Sequence, residues 1–563
     1  MSKKTKSFVI QGSILAIAGI LVRVIGLLYR IPLTRILGSE GNGYYSSSFE
    51  IYNLLILLSS QSMPLAVSKI VSERRGKKQF TNAYKSFKVA FVYALVLGVI
   101  VGMIAFFGAD WISQTVYGYP PVAHALRVLA PTLTVACVLG VMRGFFQGMG
   151  DMVPTAISQI FEQIINAIVS IFAALELVAY ASTLPTVMNS VSPEVQIATN
   201  KAGYGAMGGT FGTLAGAVTA FIVMAVIFFR RANAIKAEIS TDTSIVRESG
   251  SKLIKTIILT ITPVLISTTI YNINSSLDNP IFSNIMQRLF HTASTTVASY
   301  WGVYSVNYRV LTTMPIAIAA ALSTAMVPSL ARSNAMGDQN VVVNKINQAF
   351  KFSMLIAFPC GIGLSILGGP INGFLFGMES KQITLMMIFS IFTVVAFSLS
   401  TISNAILQGI DHLSVPIRNS AISLGIHVIV LPILIIVFRL NIYAVVIGDF
   451  TFAMVICLLN AKSIKQYVTF KHDIKGIFVK PFVSSAVMGL VAFGIYYLFN
   501  HYICNSLSSN VNNAVSVIVS IGVAVIVYLI ALIVTKTLTK EELSGMPKGN
   551  LIVKLLTKVR LLK

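Results

Sequence analysis

The sequence has 563 residues, of which 55% are hydrophobic and only 11% charged, and its mean hydropathy is +0.80. Soluble domains carry roughly 25% charged residues, so a chain this long cannot cover a water-facing surface, and lipid has to be its main solvent. In lipid the backbone is satisfied only in helices or closed barrels. The apolar runs last about 20 residues rather than alternating over about 10, which selects helices. In chain order the predicted spans are 8–30, 45–68, 86–108, 122–145, 154–178, 205–229, 253–277, 298–329, 350–371, 383–408, 416–437, 441–461, 478–499 and 512–535. The expected fold class is therefore an all-α polytopic membrane protein of about fourteen transmembrane helices. The first run follows Lys3, Lys4 and Lys6, yet it contains Arg23 and lacks a small-residue cleavage site, so it reads as a retained helix rather than a signal peptide.

The net charge of +23 raises the question of nucleic acid. The placement of the charges answers it. With the N-terminus inside, 33 of the 42 Lys and Arg fall on inner connections or tails, among them Arg74, Arg75, Lys77, Lys78 and the seven from Lys536 to Lys563. This is the positive-inside pattern. It predicts cytoplasmic N- and C-termini, basic loops lying against anionic lipid headgroups at about 1 kcal/mol per residue, and no nucleic-acid partner.

Two pairs of stretches repeat about 260 residues, or six spans, apart. "RGFFQGMGDMVPTA" (Arg143–Ala156) is similar to "NAILQGIDHLSVPIR" (Asn404–Arg418). "GYYSSSFEIYNLLILLSSQSMPLAVSKI" (Gly43–Ile70) is similar to "GVYSVNYRVLTTMPIAIAAALSTAMVPSLAR" (Gly302–Arg332). An even number of spans gives a parallel repeat about an axis along the membrane normal. The expected organisation is an N-lobe at 1–235, a C-lobe at 250–465, two extra helices at 478–535, and a basic tail at 536–563.

Ionisable groups inside hydrocarbon are costly, roughly 2.5–3.5 kcal/mol each on insertion scales, and are functional candidates for that reason. Arg23 lies 15 residues past Phe8, about 22 Å along the first span. Arg309 lies about 16 Å into the eighth. Arg30 and Arg35 mark the outer end of the first span, and Arg127 the outer part of the fourth. If the two halves face each other, Arg23 and Arg309 line one central cavity, where two guanidiniums suit a di-anion such as a pyrophosphate. The competing reading pairs Arg23 with an acid of the second or fifth span as a purely structural bond. The acids are Glu50, Glu162, Asp278 and Asp449; of these, Glu162 and Asp449 are either proton or cation sites or buried counter-charges.

Glycines 203, 205, 208, 209, 212 and 216 crowd the sixth span and predict a close packing face. Tyr44, Tyr45, Trp111, Tyr117, Tyr119, Tyr300 and Trp301 sit near span ends and predict an interfacial aromatic belt. No nucleotide-binding G-x-x-x-x-G-K-[ST], no H-E-x-x-H and no G-x-S-x-G occurs, so no enzyme is expected. The four cysteines have no metal or disulfide spacing, and no catalytic residue, metal ligand or cofactor is predicted.

With these features in place, the chain resembles the multidrug/oligosaccharidyl-lipid/polysaccharide exporter superfamily, and within it the polysaccharide-biosynthesis and stage V sporulation protein B group, similar to the lipid II flippases. The resemblance rests on "VRVIGLLYRIPLTRILG" (Val22–Gly38), "RGFFQGMGDMVPTAISQIFEQI" (Arg143–Ile164), "ALSTAMVPSLAR" (Ala321–Arg332) and "ILQGIDHLSVP" (Ile406–Pro416). It implies a two-lobed transporter that flips a polyprenyl-pyrophosphate-linked glycan from the inner to the outer leaflet of a bacterial cell membrane. Arg23 and Arg309 correspond to the arginines that such proteins carry in the first and eighth helices, with Arg30 and Arg35 as further substrate contacts. Some members bind a cation among helices 7, 11 and 12; Asn272, His427 and Asp449 are the side chains here, alongside Glu162. The chain also departs from the lipid II flippases: Leu28-Tyr29-Arg30 stands where a second arginine followed by an acid is usual, and Ile56 follows Asn53-Leu54-Leu55 where basic residues often occur. These departures fit a more divergent lipid-linked oligosaccharide flippase.

The expected partners are a lipid-linked sugar and membrane lipids, with no oligomer indicated and with coupling to Na+, H+ or the membrane potential. Two rival functions are kept. A cation-coupled multidrug exporter of the same architecture should have an acidic, aromatic cavity. A non-transporting scaffold for envelope or spore assembly needs no gradient-sensitive step.

Overall fold

The computed structural model describes residues 3–185, 192–242, 244, 248–468 and 473–537. Among them the secondary structure is helical, and eleven helices are long and apolar enough to cross a membrane. The expectation was about fourteen, and the difference has identifiable causes. The first two predicted spans are one continuous helix, α1 (Lys3–Ser59), with a break only at Gly38, where φ is 65° and ψ −177°. A side chain there would be strained, so the glycine turns the chain from one span into the next without a loop. The seventh and eighth predicted spans are helical too, but neither is among the eleven.

The longer remaining helices, and the short ones that bear on the site, follow in order; short helices at Ala109–Trp111, Ala232–Ser240 and Lys381–Ile388 join them. After α2 (Met63–Gly76) come α3 (Phe80–Phe107), α4 (Val122–Gly148), α5 (Val153–Ala181) and α6 (Pro193–Arg230). Then come α7 (Gly250–Asn272), α8 (Asn274–Asn284), α9 (Ser294–Gly302), α10 (Arg309–Ala335) and α11 (Gln339–Phe376). The chain ends through α12 (Ser390–Gly409), α13 (Ser414–Ile436), α14 (Tyr443–Tyr467), α15 (Lys480–Leu498) and α16 (Ser509–Val534). The eighth predicted span is thus not one regular helix: a π-helical stretch, Val303–Tyr308, sits between α9 and α10.

The surface is apolar where a soluble protein's is charged. Phe107, Phe229 and Leu490 are 78%, 74% and 72% exposed. Exposed apolar side chains along helices this long and apolar mark contact with lipid, and the chain is a multi-pass membrane protein. Polar side chains turn inward instead: Asn372, Ser398, Ser400 and Asn460 are fully buried.

Contacts divide the chain into two compact units, Met1–Val303 and Tyr304–Lys563. In the first, α5 and α6 pack along their length through the predicted glycine face. A Cβ on Gly212 would lie 2.0 Å from Ser170 Oγ and 2.4 Å from the Asn166 carbonyl oxygen. Ser170 Oγ, so admitted, donates 2.8 Å to the Gly209 carbonyl. In the second unit, α15 and α16 pack on α11, and Tyr528 OH donates to the Leu355 carbonyl at 2.7 Å.

The repeated sequence stretches adopt the same local form. Gly150 and Asp411 are both left-handed, with φ of 84° and 67°, and each precedes a helix with Pro in its first turn, Pro154 in α5 and Pro416 in α13. The basic tail predicted at 536–563 lies outside the described residues from 538 onward.

Candidate functional site

Three arginines lie on α1. Arg23 and Arg30 are seven residues apart, two helical turns, so they share a face about 10 Å apart along the axis. Arg23 is exposed and Arg30 half-buried. Among the described residues no carboxylate lies within ion-pair distance of Arg23. The acids that could have neutralised it are engaged elsewhere. Glu162 on α5 accepts from Arg143 Nη2 on α4 at 2.6 Å, while Arg143 Nε donates to Ser158 Oγ at 3.0 Å. Glu50 accepts from Trp301 and Asn279. Arg35, five residues past Arg30, is exposed on another face of the helix. Arg127, near the start of α4, is paired with Asp110.

Arg309 is the first residue of α10 and is half-buried. The π-helical turn before it, Val303–Tyr308, contributes side chains to a buried polar cluster. Tyr304 OH makes a short hydrogen bond to Asp449 Oδ2 on α14. Asn307 Nδ2 donates to Asn372 Oδ1 at 2.9 Å, and Tyr308 OH to Thr393 Oγ1 at 2.7 Å. The rings of Tyr304 and Tyr308 stack with centroids 5.9 Å apart. His427 on α13 is buried next to this cluster, its Nδ1 3.1 Å from the Gly448 carbonyl. Asp449 and the Gly448 carbonyl that His427 approaches are thus neighbouring residues of α14, and Glu162 belongs to the first unit. The side chain of Asn272, the remaining predicted cation ligand, lies outside the described residues.

The aromatic belt needs correction. Trp301 and Tyr119 are 0% exposed, and Tyr44, Tyr45 and Tyr117 are buried as well; Trp111, by contrast, is exposed. A ring at a span end suits either lipid headgroups or a dry helix contact, and composition does not distinguish the two. Trp301 takes the second course: its Nε1 donates to Glu50 Oε1 at 3.0 Å. Glu50, which the sequence names among the acids without giving it a role, thus ties α1 to α8 and α9. The signal was present in Gly43, Ser47 and Glu50, small and polar residues spaced four and three apart on one helix face.

Comparison with known proteins agrees with this architecture. Two family models described as polysaccharide biosynthesis protein match the chain, one over residues 9–194 and the other over residues 265–384. The lipid II flippase MurJ of Bacillus subtilis (strain 168) is 24% identical over 409 residues, 71% of this chain and 72% of that protein. Stage V sporulation protein B of the same organism is 22% identical over 564 residues, 98% of this chain and 100% of that protein. Among solved structures, lipid II flippase MurJ in an inward closed conformation superposes with a TM-score of 0.63 at 16% identity, covering 92% of this chain and 98% of that one. An inward-facing multidrug resistance MATE transporter of the MOP superfamily gives 0.60 at 16% identity, covering 78% and 94%. The chain has the fold of this superfamily and resembles its polysaccharide-biosynthesis branch, as its motifs indicate.

Proposed function

We propose that this protein is a flippase that carries a polyprenyl-pyrophosphate-linked glycan, a lipid II-like precursor or a polysaccharide repeat unit, from the inner to the outer leaflet of a bacterial cell membrane, with both termini in the cytoplasm. The named relatives support the class of cargo. The observation that carries the reading is the guanidinium pair of Arg23 and Arg30 on one face of α1, with no carboxylate paired to Arg23 among the described residues. An ionised side chain within a spanning helix is retained at a cost, and an anionic headgroup passing it offsets that cost. Guanidinium forks suit phosphate oxygens, giving charge-assisted bonds stronger than neutral ones. Arg309 and Arg35 are the further contacts in this reading.

The physical task is to lower the barrier to moving a sugar and a pyrophosphate through hydrocarbon while the isoprenoid tail stays in lipid. Alternating exposure of the arginine-lined path to the two sides does this. The membrane potential, worth about 2.3 kcal/mol per charge per 100 mV, can return the empty, positively charged state. The Asp449–Tyr304 cluster with His427 supports coupling to a cation or proton, because a buried carboxylate is a ligand for either.

The test is translocation of a labelled pyrophosphate-linked substrate in vesicles containing only this protein. Arg23→Ala and Arg309→Ala should each slow headgroup transfer about tenfold or more, the loss of one charge-assisted bond at about 1.5–3 kcal/mol. Unchanged transfer in both refutes the reading. The structural likeness to a multidrug transporter keeps drug export as the second reading; gradient-driven efflux of an organic cation, with no transfer of the lipid-linked substrate, would select it. Transfer of neither leaves the scaffold role.

A further inference from the structure

We propose that the outward face of α7 binds one anionic phospholipid, with its phosphate at Lys252 and Lys255 and one acyl chain in the groove beside Ile254, Ile258 and Leu259. The inference goes beyond the flippase reading and does not depend on it.

The two faces of α7 differ. Leu253, Ile257 and Ile261, four residues apart, are buried where the helix packs on α1, α2 and α3. Ser251, Ile254, Lys255, Ile258 and Leu259, at helical spacing on the other side, line a groove of about 380 Å³. Ile254, Ile258 and Leu259 are 39%, 41% and 63% exposed. The described lining is thus one helix face, polar at its start and aliphatic beyond. From Ser251 to Leu259 is about 12 Å along the axis, most of one leaflet's share of a hydrocarbon core about 30 Å thick. The groove therefore runs from headgroup level into the acyl region of the leaflet in which α7 begins.

An apolar groove at that depth is open to lipid, and charge selects which lipid. Among the described residues neither Lys252 nor Lys255 has an ion-pair or hydrogen-bond partner for its ammonium, and Glu248, the acid nearest in sequence, is taken by Arg74. The two lysines are exposed and three residues apart, so they stand together at the entrance. Two uncompensated cations at the membrane surface attract an anionic headgroup. The polar groups on offer are ammonium point charges and the Ser251 hydroxyl, with no guanidinium fork. That set suits the single phosphate of a phosphodiester better than a pyrophosphate. A volume near the lower limit of ligand sites takes one chain, and the second chain of the phospholipid stays in bulk lipid. A second copy of the protein fits this face poorly. Copies in one membrane share an orientation, so a two-fold contact here sets the lysines of one copy against those of the other at the same depth.

The experiment adds dioleoylphosphatidylglycerol or dioleoylphosphatidylcholine to the full chain in neutral detergent and counts retained lipids by native mass spectrometry. One phosphatidylglycerol should be held about tenfold or more tighter than phosphatidylcholine, the gain expected of two lysines near a charged headgroup. Lys252→Gln with Lys255→Gln should abolish that preference. Lys462→Gln with Lys465→Gln, at exposed positions near the predicted inner end of α14, should leave it intact. Ile258→Trp, which fills the groove from an exposed position, should weaken phosphatidylglycerol binding several-fold, and glycerol phosphate, a headgroup without chains, should not compete. Equal retention of the two lipids overturns the proposal. So does an equal loss in the Lys462 and Lys465 variant, which would mean diffuse attraction to a basic surface. Unchanged binding in Ile258→Trp, or competition by glycerol phosphate, removes the groove from the site and overturns it as well. Displacement of phosphatidylglycerol by an equal concentration of a polyprenyl phosphate would give the groove to a different lipid and overturn the assignment.

Discussion

Gly43 and Gly302 occupy corresponding places in the repeated sequence stretches and meet each other in space: a Cβ on Gly302 would lie 2.7 Å from the Gly43 amide nitrogen. The meeting is reciprocal. Gly43 faces the carbonyl of Ala298, four residues before Gly302, and Gly302 faces the carbonyl of Ser39, four residues before Gly43, at 1.9 Å from its would-be Cβ. Each helix thus meets the other at a glycine, with the carbonyl four residues before the partner glycine lying against it.

A methyl group at either position has only backbone to meet, and backbone cannot rotate away. Gly302→Ala and Gly43→Ala should each destabilise the first unit, by about 1–3 kcal/mol as overpacking typically does. Trp301 next door is a convenient reporter, because the only other tryptophan, the exposed Trp111, can be made phenylalanine. Thermal denaturation followed by Trp301 emission should show a lower midpoint in both variants; an unchanged midpoint would mean the crossing is looser than drawn.

The arginine reading makes a stability prediction separate from the transport one. A guanidinium that holds helices together by an ion pair should destabilise the protein when removed. Arg23 has no such pair among the described residues, so Arg23→Ala should leave the thermal midpoint where it is while transfer falls. A midpoint that drops with the transfer rate would return Arg23 to a structural role.

Arg143 and Glu162 behave differently. They form a 2.6 Å pair with side-chain exposures of 15% and 33%, so water screens it only in part. Glu162→Ala leaves a partly buried guanidinium uncompensated and should cost about 1–3 kcal/mol. Arg143→Met combined with Glu162→Leu should cost less than that single change. The second repeat already lacks the charges: Asn404 stands in place of Arg143 and accepts from Asn460 at 2.7 Å, while Asn419 donates to Asn460 at 2.9 Å. Equal losses in the single and double variants would speak against the pair as the reason.

On the predicted cytoplasmic side the connection between α2 and α3 is tied to the segment preceding α7. Arg74 Nε donates to Glu248 Oε2 at 2.7 Å, and Asp242 Oδ2 accepts from the Thr81 amide, also at 2.7 Å. Hydrogen bonds from Ser244 and Thr81 hold the Asp242 carboxyl below the usual range. A depressed carboxyl stabilises the docking above its ordinary value and loses that contribution only as the pH falls through the depressed one. Hydrogen exchange at the Thr81 amide, corrected for its intrinsic rate, should therefore show constant protection from neutral pH down to about 4. Asp242→Asn should reduce that protection at every pH, and protection already falling near pH 6 would contradict the assignment.

What the sequence by itself determined follows from terms that are local in the chain. Twenty apolar residues span a bilayer whatever surrounds them, so the helical class and most span positions were legible. The glycine face of α6 was legible for the same reason, since small residues at helical spacing have one physical use. The turn at Gly38 was not, because a glycine ends a helix or is carried through it according to what packs on either side. Tertiary structure alone decided the partner of Glu50, 251 residues away at Trp301, and the exclusion of Tyr119 and Trp301 from any lipid-facing belt. It also decided that Glu162 is taken by Arg143, leaving Arg23 without a carboxylate among the described residues. Each of these depends on which helix faces are brought together, and a side chain's charge or ring declares that it needs a partner without saying which.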